Sequence, residues 1–317
     1  MSLTMQAMLE LLDDDARVFV EALLREGPPP PYSQYGVEAM RELFDSKITT
    51  TVPALPAVHP VSVPAPYGDV AARCYRPSLA VNLPAVMYVH GGGFVIGTLD
   101  GVDELCRNIA VAANCAVISV DYRRAPEWVF PAAADDCLAV YDWLEHSGEL
   151  LGIDPRRIAL AGDSAGGNLV LSVCTSLAKA RRTGPKCVVV AYPATSADFE
   201  GASWEVFEHA PVLCKADAEW LWSVYADGDG SRDPRAVPEL STHLRDLPPV
   251  FLLSAEVDPL RSDYERFAAL AADAGAQVDM RRYDGVAHGF LTSVSALRKA
   301  QDAVYDVASF IRGYLAE

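Results

Sequence analysis

A serine set between two glycines, where an apolar run gives way to a small-residue helical pattern, constrains this chain more than any other feature. The run Arg157-Ile158-Ala159-Leu160-Ala161 leads into Gly162-Asp163-Ser164-Ala165-Gly166, and Gly167-Asn168-Leu169-Val170-Leu171 follows. That order places Ser164 on a tight strand-to-helix turn, with glycines where a side chain would clash with neighbouring backbone. The turn lifts the hydroxyl clear of a sheet and sets it at a helix N-terminus, where negative charge is favoured.

Around this turn the pattern alternates between strand and helix. Strands are predicted at Ala85–Val89, Ala116–Tyr122, Arg157–Ala161, Cys187–Tyr192, Val250–Ser254 and Val278–Tyr283. Helices are predicted near Val102–Ala113, Ala132–His146, Ala165–Arg182, Ser262–Ala274 and Leu297–Leu315. Alternation of this kind implies right-handed crossovers and a mostly parallel sheet covered on both faces, an α/β fold. Ahead of it, Val58–Val63 and Asp69–Tyr75 read as a hairpin, which makes the sheet mixed.

Two regions stand outside the alternation. Leu9, Leu12, Val18, Leu23 and Leu24 predict a helix from about Met5 to Arg25, stopped by Gly27-Pro28-Pro29-Pro30-Pro31, and a shorter helix follows over Val37–Phe44. Between Ala194 and Pro249 there is no clear strand, but Trp204, Phe207, Trp220, Trp222 and Tyr225 are gathered there, with a helix predicted over Ala216–Tyr225. Both regions are expected to lie over the carboxyl ends of the strands as a helical cap, where α/β sheets place their binding sites. The aromatics serve mainly to fix the insertion to the core. The expected division is therefore residues 1–45 and 194–249 as cap, with 46–193 and 250–317 as the two parts of the core.

Composition limits the function classes. A formal net charge of −17 argues against nucleic acid and anionic membranes as partners. The apolar runs are of strand length, too short to insert stably in a membrane, and the first twelve residues carry no basic leader of the secretory kind. Seven scattered cysteines without C-x-x-C spacing suit reduced, mostly buried thiols in a cytoplasmic protein. The histidines are isolated, and neither a zinc motif nor a phosphate-cradling glycine motif occurs, so neither metal nor cofactor is expected.

The remaining chemistry falls on three loops. His90-Gly91-Gly92-Gly93-Phe94 follows a predicted strand, and its bare amides at Gly92 and Gly93, with that of Ala165, could receive an oxyanion. When a nucleophilic serine comes first in the chain, the acid and then the histidine follow it. Asp258, just after the run Val250–Ser254 and before Pro259, suits the acid. Glu256 suits a structural hydrogen bond better, and Asp263 suits the start of the next helix. His288, in Gly285-Val286-Ala287-His288-Gly289-Phe290, follows the last strand and suits the base. Ser164, His288 and Asp258 would then act as nucleophile, general base and orienting carboxylate, with no cofactor.

These motifs carry a resemblance. His90-Gly91-Gly92-Gly93-Phe94 and Gly162-Asp163-Ser164-Ala165-Gly166-Gly167-Asn168-Leu169 resemble the hormone-sensitive-lipase-like family of α/β-hydrolases, the bacterial family IV esterases. Asp121-Tyr122-Arg123-Arg124-Ala125-Pro126-Glu127, Tyr192-Pro193, Asp258-Pro259-Leu260 and His288-Gly289-Phe290 extend the likeness from about Val58 to the C-terminus. Arg124 stands where the family usually has leucine. The resemblance implies a capped α/β-hydrolase fold and a carboxylesterase for small-molecule esters of short or medium acyl chains, using the same triad and oxyanion donors. An amidase, thioesterase or lipid deacylase would use the same triad, and a non-catalytic receptor could keep the fold, although His288 argues against the last. The strand Val278–Tyr283, if exposed, could pair with its copy in a homodimer.

Overall fold

The computed structural model describes residues 2–25, 27, 31–45, 52–226 and 228–316. Eight strands form one sheet: β1 (Ala57–Val63), β2 (Val70–Arg76), β3 (Leu83–Val89), β4 (Ala116–Asp121), β5 (Ile153–Asp163), β6 (Val188–Ala191), β7 (Val250–Val257) and β8 (Val278–Ala287). Their order is β1-β2-β4-β3-β5-β6-β7-β8. Only the contacts of β2 with β1 and β4 are antiparallel; every other pairing is parallel. The central strands are buried on both faces, which is why β3 and β4 read as unbroken apolar runs.

The helices of the core are α5 (Asp103–Ala113), α6 (Ala132–Ser147), α7 (Ala165–Lys179), α10 (Arg261–Ala274) and α11 (Arg298–Leu315). Helices α5 and α11 pack against each other, as do α6 and α7, and β5 is covered by both α7 and α11. Twelve of the fifteen residues of α7 are buried. Each fully buried Val or Leu there contributes about 1.5–3 kcal/mol, so the helix that carries the serine turn is anchored along its length.

The N-terminal region differs from expectation. Instead of one helix over Met5–Arg25 there are two, α1 (Met5–Leu11) and α2 (Asp14–Leu23), broken at Leu12-Asp13. Thr4 caps α1 by accepting from the Ala7 amide. The break comes from a distant contact. The Asp13 amide donates to the Gly285 carbonyl at 2.9 Å, and its carboxylate meets Lys299 Nζ at 2.8 Å. Short helices α3 (Tyr32–Tyr35) and α4 (Val37–Asp45) follow; Pro28–Pro30 and the boundary at 46 lie outside the described residues.

Other elements run longer or shorter than the sequence suggested. Strand β8 does not stop at Tyr283, because Gly285 takes a positive φ of 72° and gives its amide to Glu256 Oε2 at 2.7 Å, carrying the strand past an Asp-Gly pair that reads as a turn. Helix α7 ends three residues before Arg182. The 194–249 segment holds α8 (Ala202–Val206), which the sequence did not predict, and α9 (Lys215–Tyr225). Trp204, Phe207, Trp222 and Tyr225 are buried. The N-terminal region meets this segment directly: the Tyr32 amide donates to Asp217 Oδ1 at 2.8 Å.

Candidate active site

Ser164 sits between β5 and α7 with φ 51° and ψ −119°. Its amide donates to the Ala191 carbonyl at 2.8 Å, and its carbonyl accepts from the Asn168 amide. The turn is this tight because β3 and α7 nearly touch: a Cβ on Gly166 would lie 2.0 Å from the Val89 carbonyl oxygen. Strain of this kind persists only where the surrounding packing over-determines it.

The two other predicted residues converge on the serine. His288 Nε2 lies 3.0 Å from Ser164 Oγ, and His288 Nδ1 lies 2.7 Å from Asp258 Oδ2. Asp258 is fully buried. Its Oδ1 accepts from the Leu260 amide at 2.8 Å, and its Oδ2 also accepts from the Tyr264 hydroxyl at 3.2 Å. A carboxylate at Nδ1 places the imidazole proton there and leaves Nε2 as an acceptor toward the hydroxyl. Tyr192 packs beside the imidazole, centroids 4.8 Å apart, and its hydroxyl accepts from the Leu291 amide in the loop after His288. Asp263 stands in the first turn of α10 and accepts from Trp204 Nε1, while Glu256 holds the Gly285 amide. Neither meets His288.

The glycine loop is held from beneath. Asp163 is buried and accepts from the Tyr88 hydroxyl at 2.6 Å and the Gly91 amide at 3.0 Å. Burial pushes its carboxyl above the usual range, and the two hydrogen bonds oppose that. The Gly91 amide is thus committed, whereas those of Gly92 and Gly93 donate to no described residue. Ala165 opens α7, so its amide is among those without an intrahelical partner. From the side, Arg124 Nη1 donates to the Gly97 carbonyl at 2.7 Å, and Arg41 on α4 donates to the Val95 carbonyl at 3.0 Å. The residue that departs from the family's leucine therefore ties down the end of this loop. His90 stacks on Tyr122 at 4.4 Å, and burial pushes it down to about 4, so it stays neutral at ordinary pH.

Ser164, His288 and the glycine loop open into a cavity of about 720 Å³. One flank is apolar, with Phe19, Val20 and Leu23 from α2, Leu213 from the 194–249 segment, and Phe290 and Leu297. Another is polar and includes Arg73, Thr98, Glu104 and Ser295. The sequence reading missed this polar flank, the hydroxyl of Tyr264 and the brace from Asp163. Asp163 lies inside the serine motif itself; the rest are ordinary residue types joined only by the fold. Among the described residues no group of three or more His, Cys, Asp or Glu could hold a metal, and no helix is long and apolar enough to cross a membrane.

A serine on a strand-to-helix turn, with a histidine and a carboxylate delivered by later loops of a mostly parallel sheet, defines an α/β-hydrolase. The family described as alpha/beta hydrolase fold matches residues 86–292, and the chain belongs to it, among the hormone-sensitive-lipase-like members. LipN of Mycobacterium tuberculosis, a carboxylic ester hydrolase, is 37% identical over 263 residues, 81% of this chain and 70% of the relative. The ethyl acetate hydrolase of Pseudomonas putida is 36% identical over 248 residues, 77% of this chain and 78% of the relative. Among solved structures, the hyperthermophilic esterase of the archaeon Pyrobaculum calidifontis superposes with a TM-score of 0.89 at 31% identity, covering 95% of this chain and 98% of that one.

Proposed function

We propose that the protein is a serine carboxylesterase that hydrolyses small-molecule esters of short to medium acyl chains through an acyl-serine intermediate. The observation that carries this reading is the hydrogen-bonded line from Asp258 through His288 to Ser164, opening into a cavity beside uncommitted amides. The relatives named above as ester hydrolases support the same chemistry.

In the first half-reaction Ser164 Oγ attacks the carbonyl carbon while His288 Nε2 takes its proton. The amides of Gly92, Gly93 and Ala165 receive the oxyanion, where one donor supplies about 3–4 kcal/mol of transition-state stabilisation. Collapse breaks the bond to the alcohol oxygen, which leaves with the proton from His288. Water then attacks the acyl carbon, giving its proton to the same nitrogen, and the carboxylic acid departs as Ser164 recovers its hydrogen. Asp258 fixes the tautomer and balances the transient imidazolium. Residues 1–45 and 194–249 act as the cap, a role supported by the cavity residues they supply, such as Val20 and Leu213.

Rates over p-nitrophenyl esters from acetyl to palmitoyl, with fluorophosphonate labelling, test the reading. Ser164→Ala should lower kcat by about 10⁵–10⁶ and abolish labelling; a variant keeping a tenth of the wild-type rate would remove Ser164 as nucleophile. A matched ester and amide pair separates esterase from amidase.

Two further proposals concern setting and assembly. Six of the seven cysteines are buried thiols, which supports a reducing, cytoplasmic location. Strand β8 is an edge strand with Asp279–Arg282 exposed, which supports pairing with its copy about a two-fold axis. Light scattering at micromolar concentration tests the dimer; a monomer mass would reject it.

A further inference from the structure

The polar flank of the cavity above Ser164 carries one acid that its neighbours do not neutralise. Asp100, Asp103 and Glu104 all line the polar flank, with Arg73 and Arg107. Arg73 pairs with Asp100 at 2.7 Å and with Asp103 at 3.1 Å, and Arg107 pairs with Asp103 at 2.6 Å. Glu104 has no such partner among the described residues. Among the described residues its side chain receives only the Ser295 hydroxyl, at 3.4 Å on Oε2, and Oε1, without a donor there, is open to the cavity and not sealed in the interior. Yet Glu104 is only 7% exposed, and what exposure it has is toward the cavity. An acid in the first turn of a helix suits the helix dipole, but Asp103, the first residue of α5, already fills that role, and the dipole gives no reason to bury a second.

A carboxylate held in the cavity wall with one oxygen open to the cavity is placed to accept from a bound molecule, and a bound group that covers it without donating loses that hydrogen bond. We propose that Glu104 is a specificity-determining residue that accepts a hydrogen bond from a hydroxyl group of the substrate. The preferred substrates are then esters that join an apolar chain to a hydroxylated portion. This rests on the esterase reading above and names the substrate class for the same site. The charge pattern selects a neutral hydroxyl over the alternatives. Three carboxyl groups against two guanidiniums disfavour an anionic substrate, and the N–H groups of Arg73 and Arg107 on the same flank need an acceptor, which a quaternary cation lacks. A hydroxyl both donates and accepts, so it fits a flank where carboxyl oxygens and guanidinium N–H groups alternate. The apolar flank built from Phe19, Val20 and Leu23 is free to take the chain.

The test compares matched esters in the full-length protein. In one pair the hydroxyls are on the alcohol: 2,3-dihydroxypropyl butyrate against n-propyl butyrate. In the other the hydroxyl is on the acyl chain: ethyl 3-hydroxybutyrate against ethyl butyrate. A cationic ester, 2-trimethylammonioethyl butyrate, is the third arm. Acid release gives kcat/KM for wild type, Glu104→Gln and Glu104→Leu, and the preference ratio within each pair cancels differences in overall rate. Hydrogen bonds to charged groups predict that the ratio for one pair falls about tenfold or more in Glu104→Leu, and about threefold or more in Glu104→Gln, whose amide still accepts but carries no charge. If Glu104→Leu does not fold, the Glu104→Gln ratio decides. Ratios in both pairs that stay within twofold of wild type overturn the proposal, as does a cationic ester whose preference is the one lost. Wild type that hydrolyses no ester, p-nitrophenyl acetate included, overturns the esterase reading itself, an outcome distinct from hydrolysis without hydroxyl preference.

Discussion

The surroundings of Asp258 allow the effect of Asp258→Asn to be worked out atom by atom. Its Oδ1 faces the Leu260 amide and its Oδ2 faces His288 Nδ1 and the Tyr264 hydroxyl. An asparagine must keep its carbonyl oxygen toward the Leu260 N–H, because the opposite flip sets two donors against each other in a fully buried place. The NH₂ group then points at His288 Nδ1, which becomes an acceptor, and the ring proton moves to Nε2. In that tautomer Nε2 cannot receive the proton of Ser164. Reaching the productive flip leaves the Leu260 donor unsatisfied, at about 1–3 kcal/mol. The lost carboxylate charge, no longer supporting the imidazolium, removes a hydrogen bond to a charged group, about 1.5–3 kcal/mol more. The two together correspond to a fall in kcat of about 10²–10⁴ at pH 7, with KM little changed. Steady-state hydrolysis of p-nitrophenyl butyrate measures it, and fluorophosphonate labelling of Ser164 should slow in parallel. A variant with kcat within tenfold of wild type would mean that the tautomer is not set by residue 258, and the reasoning fails.

Three further outcomes follow from other parts of the site. A Cβ on Gly92, where φ is 115°, would lie 2.2 Å from the Ile96 carbonyl oxygen, so Gly92→Ala must displace the loop and should lower kcat by about 10²–10³. On Gly93 the Cβ would instead meet the flexible Leu221 side chain at 2.4 Å, so the loss in Gly93→Ala should be partly recovered in the double variant with Leu221→Ala, and no recovery would place the obstacle in the backbone. Burial holds His90 down to about 4 against an ordinary 6.5, so as pH falls the unfolded chain takes the proton first; the contribution of His90 to stability is complete above 6.5 and is lost toward 4. The gap corresponds to about 3 kcal/mol, so wild type should lose that much stability relative to His90→Phe, which keeps the ring against Tyr122, in urea unfolding between pH 7 and 4; parallel curves would contradict it.

How much of this could be read from the chain depended on whether a feature leaves a local mark. The serine turn and the glycine loop need backbone conformations or close approaches that only glycine meets, so Gly162, Gly166 and Gly92 announce them. Asp258 and His288 were legible for a related reason: Asp258 follows the visible apolar run of β7, His288 follows the last strand beside a glycine, and strand ends are where a parallel sheet delivers functional side chains. The eight strands lie at the predicted places, although β5, β7 and β8 run longer than predicted. The break at Asp13 was not legible, because it is made by Gly285, more than two hundred residues away, and a helical period continues through it. Nor was the bond from Tyr264 to Asp258, since a tyrosine on a helix face has many uses.

The polar flank of the cavity is the strongest instance of the second kind, and it bears on how function divides in this fold. Glu104 and Ser295 are 191 positions apart and meet only because α11 returns to pack on α5. Neither lies in a recognisable motif. The groups that do chemistry are fixed by tight backbone geometry and must recur in a recognisable pattern. The groups that choose a substrate need only project into the same space, and nearly any residue types on two packed helices and their loops can do that. Reaction type in such a chain is therefore written locally, while substrate choice is written in which side chains the packing brings to the cavity wall and which of them it leaves without a partner.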